Sequence, residues 1–227
     1  KRVVDTMYRP VSRDNDTGII TAFKQSYVNT YHAANWDETE DTPSVFLEHM
    51  DYLLPCKDER NLFLNWLAYK IQHPDSRSYA IVMVAEDAQG TGRSWLKDMI
   101  EDMLQGGVNT ATMPQLYGKG TSAEQTYNDY YNGYETFKLN VDTKVTKSVR
   151  INPKFGRTRH EDLYYNVLIF SNHADAMAIK EEDRRICVLE NPSQRLDYDY
   201  YDRLVYSLQS DEPRRLFWWL MRRDLKN

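Results

Sequence analysis

Residues 79–96 read YAIVMVAEDAQGTGRSWL, and the fold turns on how this stretch divides. Tyr79 to Ala85 is an unbroken apolar run of strand length, which reads as a buried strand. Ser94 to Leu104 has helical character and stops at Gly106-Gly107. The loop between them matches the phosphate-binding pattern G-x-x-x-x-G-K-[ST] at two of its four fixed positions, Gly92 and Ser94. Asp87 stands at the first glycine and Arg93 stands where lysine is usual. A strand, a glycine-bearing loop and a helix are the context such a motif needs. Backbone N–H groups around small residues then converge on phosphate oxygens at the positive end of the helix. Gly90 and Gly92 permit that approach. Arg93 keeps the charge in a bulkier, forked form, and Ser94 offers a hydroxyl for Mg2+. The bland alternative is an ordinary strand-to-helix turn.

Before this stretch, residues 1 to 42 mix short apolar runs with turn formers and the acidic Asp37 to Asp41, reading as extended or irregular chain. From Ser44, the residues Val45, Phe46, His49, Met50, Leu53 and Leu54 recur at helical spacing. A second helix runs from about Asp58 to Gln72 with Leu62, Phe63, Trp66, Leu67, Tyr69 and Ile71 on its apolar face, and stops at His73-Pro74. After it, residues 108 to 140 are polar and rich in Tyr and Asn. Val149 to Asn152, a turn at Pro153 to Gly156 and Arg157 to His160 read as a hairpin. Val167 to Phe170 is a second buried strand, ending in Ser171-Asn172-His173. Ile186 to Leu189 is a third, and a helical C-terminal region carries Phe217, Trp218, Trp219 and Leu220.

Composition narrows the classes. The chain has 227 residues, 41% hydrophobic and 28% charged, enough for one sizeable core. Cys56 and Cys187 lie far apart without a partner motif, so neither a disulfide framework nor a zinc site is indicated and a reducing cytoplasm fits, a host's if the protein is viral. No apolar run reaches the roughly 20 residues of a membrane span. A net charge of −5 argues against indiscriminate nucleic-acid binding. Yet six Lys/Arg and no acid lie between Thr143 and His160. With Lys154 and Phe155 at the hairpin tip, that segment pairs phosphate-neutralising charge with an aromatic able to pack on bases; its bland alternative is a solvated β-ribbon.

Two further features carry chemistry if they meet the glycine loop. Asn172, at a strand end, has an amide able to orient a water beside a γ-phosphate. Arg184 and Arg185 offer guanidinium groups of the arginine-finger kind, or else pair with Glu181, Glu182 and Asp183.

In order along the chain, Tyr8-Arg9-Pro10, NLFLNWLAYKIQHP (61–74), QGTGRSWL (89–96), INPKFG (151–156), FSNH (170–173) and EEDRRICVLE (181–190) resemble a superfamily 3 helicase domain. The type is the one from phages and plasmids that follows a primase or primase-polymerase module. The resemblance implies an α/β fold: an AAA+-like P-loop ATPase core with an N-terminal helical region and a small C-terminal helical subdomain. Residues 1–75 would form the extended and helical collar, 76–192 the core with its DNA-binding hairpin, and 193–227 the lid. It implies ATP held by Gln89, Gly90, Thr91, Gly92, Arg93, Ser94 and Trp95, with Mg2+ on Ser94. Asn172 would be the sensor, and Arg184 or Arg185 the finger reaching a neighbouring subunit. Lys154, Phe155 and Arg157 would grip single-stranded DNA inside a homo-oligomeric ring, a hexamer. A primase or polymerase module on the same chain is part of that picture.

One departure stands out. The family places a hydrophobic strand ending in Asp/Glu, the Walker B site, between the loop's helix and the hairpin. Between Gly107 and Thr143 the carboxylates are Glu124, Asp129, Glu135 and Asp142, and none follows an apolar run. Either the domain is a non-hydrolysing DNA-binding and oligomerisation module, or the strand is missing from this sequence, with a join near Tyr131 to Tyr134. An intact mass matching 26.9 kDa would exclude the second. A P-loop ATPase serving DNA packaging or recombination is a third reading, marked by junction-specific DNA binding.

Overall fold

A computed structural model describes residues 3–11, 18–22, 24–86, 89–106, 108, 110, 148–151, 159–162, 164–173, 179 and 183–225. Its elements are β1 (Val3–Met7), β2 (Ile19–Ala22), β3 (Gln25–Asn29), α1 (Ser44–Leu53), α2 (Lys57–Gln72), β4 (Ala80–Val84) and α3 (Arg93–Leu104). They continue with β5 (Ser148–Ile151), β6 (Arg159–Asp162), β7 (Leu168–Ser171), β8 (Ile186–Glu190), α4 (Tyr198–Leu208) and α5 (Glu212–Met221). The architecture is mixed α/β. Among the described residues no helix is long and apolar enough to cross a membrane.

The central sheet is parallel, in the order β7-β4-β8. All five residues of β4 are buried, which is why that strand reads as a continuous apolar run rather than an alternating one. Ile81 and Met83 face the large core, while Ala80, Val82 and Val84 join Ile169 and Ile186 on the other side. Register is tight: Val84 lies opposite Ser171 of β7 and Glu190 of β8. The three strands therefore end together.

The helices supply the other layer. Phe46 and Met50 of α1, Phe63 and Leu67 of α2, Leu96 and Met99 of α3, Leu204 of α4 and Leu216 of α5 share one core. Helix α1 starts after Pro43, with no side-chain cap from its own sequence. Its orphan amide at Phe46 instead donates to Glu212 Oε1 at 2.8 Å. A carboxylate at a helix N-terminus meets both the unpaired N–H and the dipole, so α5 is keyed to α1. Burial nonetheless pushes the Glu212 carboxyl upward, against the lowering by its bonds to the amides of Phe46 and Val45.

Where residues 1 to 42 read as extended or irregular chain, the structure forms a three-stranded sheet, β1-β3-β2, with β1 parallel and β2 antiparallel to β3. The predicted basic hairpin is present as the antiparallel pair β5 and β6, with Ser148 opposite Asp162 and Ile151 opposite Arg159. Its second strand is described over Arg159–Asp162. The tip, with Lys154, Phe155 and Arg157, lies outside the described residues, as does the whole of 111–147 where the acidic strand is expected.

Candidate functional site at the carboxyl end of the parallel sheet

The chain leaves β4 at Val84 and enters α3 at Arg93 through a loop whose two glycines have positive φ, +74° at Gly90 and +92° at Gly92. L-residues rarely adopt these angles. Gly92 is also fixed by space. A Cβ there would fall 2.4 Å from His49 Cε1 and 2.7 Å from its Nε2, so nothing larger fits while the histidine keeps its place.

His49 is fully buried on α1. Its Nε2 lies 3.3 Å from the Gly92 carbonyl, and Nδ1 lies 2.8 Å from the Tyr200 hydroxyl of α4. A carbonyl only accepts, so Nε2 carries the proton and Nδ1 accepts from Tyr200. Desolvation holds the imidazole neutral, lowering its pKa to about 4 against the smaller opposing effect of the Gly92 carbonyl. The Trp95 ring meets His49 edge-on at 4.8 Å, and its indole N–H donates to the Leu204 carbonyl. Trp95, predicted as a nucleotide contact, is thus packed in the core beneath the loop. His49, Trp95 and Tyr200 tie α1, α3 and α4 to Gly92.

Arg93 points across the sheet. It is 8% exposed, and its guanidinium donates to the Ser171 carbonyl and to Asn172 Oδ1 at the end of β7. The loop's cation and the strand-end amide, 79 positions apart in sequence, are joined directly. Burial lowers the Arg93 pKa, though a guanidinium stays protonated. The Asn172 bond uses the amide oxygen and leaves the NH2 as a donor.

The remaining loop residues divide by exposure. Gln89, Gly90 and Ser94 are exposed. Thr91 is 1% exposed, and its hydroxyl has no hydrogen-bond partner. Helix α3 has no side-chain cap and no acidic residue in its first turn, so no side chain competes for the amides there. The site's exposed polar inventory is the N–H groups of that turn, the Ser94 hydroxyl and the guanidinium of Arg195, with Arg93 buried behind them. That suits an anion. Among the described residues no group of three His, Cys, Asp or Glu is gathered for a metal.

Arg184 and Arg185 are elsewhere. They sit in the turn entering β8, where the Arg185 carbonyl accepts from Ala80 N at 2.8 Å. That is the amino end of β4, separated from the loop by its five residues, roughly 15 Å at strand rise. Arg185 Nε pairs with Asp183 Oδ1 at 3.0 Å. Arg184 is exposed and has no hydrogen bond or ion pair among the described residues.

His49 was visible in the sequence only as part of an apolar stripe. Arg195 and Tyr200, both beside the loop, had no motif to mark them.

Solved structures share this fold. The apo structure of the NrS-1 C-terminal region (305–718) matches with a TM-score of 0.72 at 16% identity, covering 99% of this chain and 56% of that one. An A-form apo structure of the same region matches at 0.71 and 18% identity, covering 98% and 55%. This chain therefore spans about half the length of the structures it matches. At such identities the likeness is one of fold. No family profile and no curated protein matches the chain.

Proposed function

We propose that the chain is the ATP-dependent helicase domain of a phage replication protein, translocating on single-stranded DNA as a ring, with ATP bound at the loop 89–94. The observation that carries this reading is the Arg93–Asn172 contact. It unites the loop's cation with the strand-end amide at the carboxyl ends of adjacent parallel strands, the end at which open parallel sheets bind ligands.

The uncapped first turn of α3 with Gly90 and Gly92 would receive the phosphates. Ser94, with its exposed hydroxyl in that turn, would hold Mg2+ arriving with the nucleotide, and the ion would supply charge neutralisation at the outer phosphates. Asn172, anchored through its oxygen by Arg93, presents its NH2 to the outer phosphate or to the attacking water. Arg184, at the far end of the sheet and without a partner among the described residues, would be available to a neighbouring copy's nucleotide. The β5–β6 hairpin would bring Lys154, Phe155 and Arg157 to the DNA strand.

ATP hydrolysis by the purified protein, with and without single-stranded DNA, tests the reading. Turnover stimulated by DNA and abolished in both Arg93→Ala and Arg184→Ala is expected. Absence of turnover with DNA binding and oligomerisation intact would instead establish the second reading, a non-hydrolysing module. The inward commitment of Arg93 is the observation that favours that alternative.

A further inference from the structure

Arg195, in the segment between β8 and α4, lies on the outer face of the same loop. A Cβ built at Gly90 would stand 3.1 Å from its Cζ and Nε and 3.3 Å from Nη2. The guanidinium therefore stacks directly on loop backbone. Arg195 is exposed and makes no hydrogen bond or ion pair among the described residues.

Its position is nevertheless fixed from both sides. The Gln194 carbonyl accepts from the Tyr52 hydroxyl at 2.7 Å, the Leu196 amide donates to the Tyr201 hydroxyl at 3.3 Å, and Asp197 caps α4 by accepting from Tyr200 N at 2.9 Å. Asp197 is engaged by that cap, and Glu48 of α1 pairs with Arg203 at 2.5 Å. An arginine on hydrogen-bonded backbone, lying against a glycine and without a counter-charge among the described residues is set for an anion.

The loop needs such a charge because Arg93 does not present one outward. In the usual pattern the residue at that position reaches the outer phosphates; here its guanidinium is buried and donates to Ser171 and Asn172. We propose that Arg195 supplies the phosphate-binding cation of this loop, contacting the triphosphate from within the same chain in place of the residue at 93. This assignment rests on the nucleotide reading above. Gly90, required by its φ of +74°, also lets the guanidinium lie close to the loop backbone.

The test is titration of the whole chain with ATP, AMP and inorganic tripolyphosphate by calorimetry, for wild type, Arg195→Ala and Arg195→Lys. One charge-assisted contact corresponds to roughly a tenfold or greater loss. Arg195→Ala should weaken ATP and tripolyphosphate by about that factor and AMP by much less. Arg195→Lys should recover part of the loss, and the salt dependence of ATP binding should flatten in the alanine variant. Thermal unfolding without ligand should barely change, because the side chain has no hydrogen bond or ion pair to lose among the described residues. Wild-type binding of ATP with Arg195→Ala within about twofold of it would overturn this assignment alone. Failure of the wild type to bind either ATP or tripolyphosphate would overturn the nucleotide reading, and this assignment with it.

Discussion

At the carboxyl ends of β4 and β7 the site is locked within one chain: Gly92 against His49, His49 against Tyr200, Arg93 against Asn172. At the amino ends of β4 and β8, Asp183 secures Arg185 while Arg184 stands exposed, with no partner among the described residues. The first end is organised around a glycine loop held by contacts to three helices and a strand. The second presents a cation to whatever lies beyond the chain. Two ends of one small sheet thus differ in kind: at one the polar side chains are bonded to each other, and at the other a cation is bonded to nothing among the described residues. Substitutions at each end can break that contrast.

The largest effect belongs to Gly92→Ala. It combines a φ of +92° with a Cβ 2.4 Å from the His49 ring. Left-handed strain costs about 1–2 kcal/mol, and forcing a buried ring aside adds about 1–3 kcal/mol. We expect a loss of about 3 kcal/mol or more in urea unfolding, together with loss of nucleotide binding. His49→Ala in the same chain should relieve part of it, by removing the obstructing ring. Equal destabilisation with and without His49 would show that the two residues are not coupled.

Next comes the histidine itself, through pH. Its folded-state pKa is depressed from 6.5 to about 4 by burial. The unfolded chain therefore takes up a proton before the native chain does. The stabilisation is full above pH 6.5 and is lost as pH falls toward 4, on the order of 3 kcal/mol in all. Tyr200 does not titrate in this window, because burial and Glu48 push its phenol upward. Urea unfolding at pH 7 and at pH 4 should show the acid loss in wild type and a flatter profile in His49→Gln. Parallel profiles would remove His49 from the account.

How much of this was legible in the sequence follows from how each feature is encoded. The strand-loop-helix was readable because β4 is buried on both faces and so shows an unbroken apolar run, with glycine where the backbone turns left-handed. Asn172 was readable as a strand end. The N-terminal sheet was not, because its burial pattern opposes polarity: Ser26 and Asn29 are buried while Ile19 is 54% and Val28 43% exposed. Asn29 is buried at little cost, since it accepts from Arg9 N and Tyr31 N and donates to Arg9 O. No hydrophobic period can announce such a strand. Arg195 escaped for another reason. It lies in an exposed connection more than 100 residues from Gly90, and only the folded backbone brings them together.

A smaller effect is expected from the Arg93–Asn172 pair. Arg93→Ala takes the donor from the Asn172 amide oxygen, while the Ser171 carbonyl keeps the Ala85 amide at 3.1 Å, so the cost is about 1–3 kcal/mol, from the one half-buried acceptor left unmet. Asn172→Ala should cost less, because Arg93 keeps the Ser171 carbonyl. A double-mutant cycle on unfolding free energies should give a coupling of at least about 0.5 kcal/mol, as for directly contacting residues. A coupling near zero would mean that the contact on which the proposed site rests contributes nothing to the native state.

The smallest change in stability, and the sharpest test of the contrast, comes from Arg184→Ala. An exposed side chain with no partner should alter unfolding by no more than about 0.5 kcal/mol. If Arg184 acts on a neighbour's nucleotide, hydrolysis should nevertheless collapse. Mixing should then expose the geometry: a subunit lacking Arg184 still offers an intact loop, and one carrying Arg93→Ala still offers an intact finger. A mixture of the two inactive variants should recover hydrolysis that neither shows alone, because some junctions in a mixed ring pair the intact loop with the intact finger. Such recovery requires the two ends of the sheet to meet across a subunit boundary, since one chain holds them apart. Full activity in Arg184→Ala alone would return that residue to the ordinary solvated surface and leave the carboxyl end as the chain's only site of chemistry among the described residues.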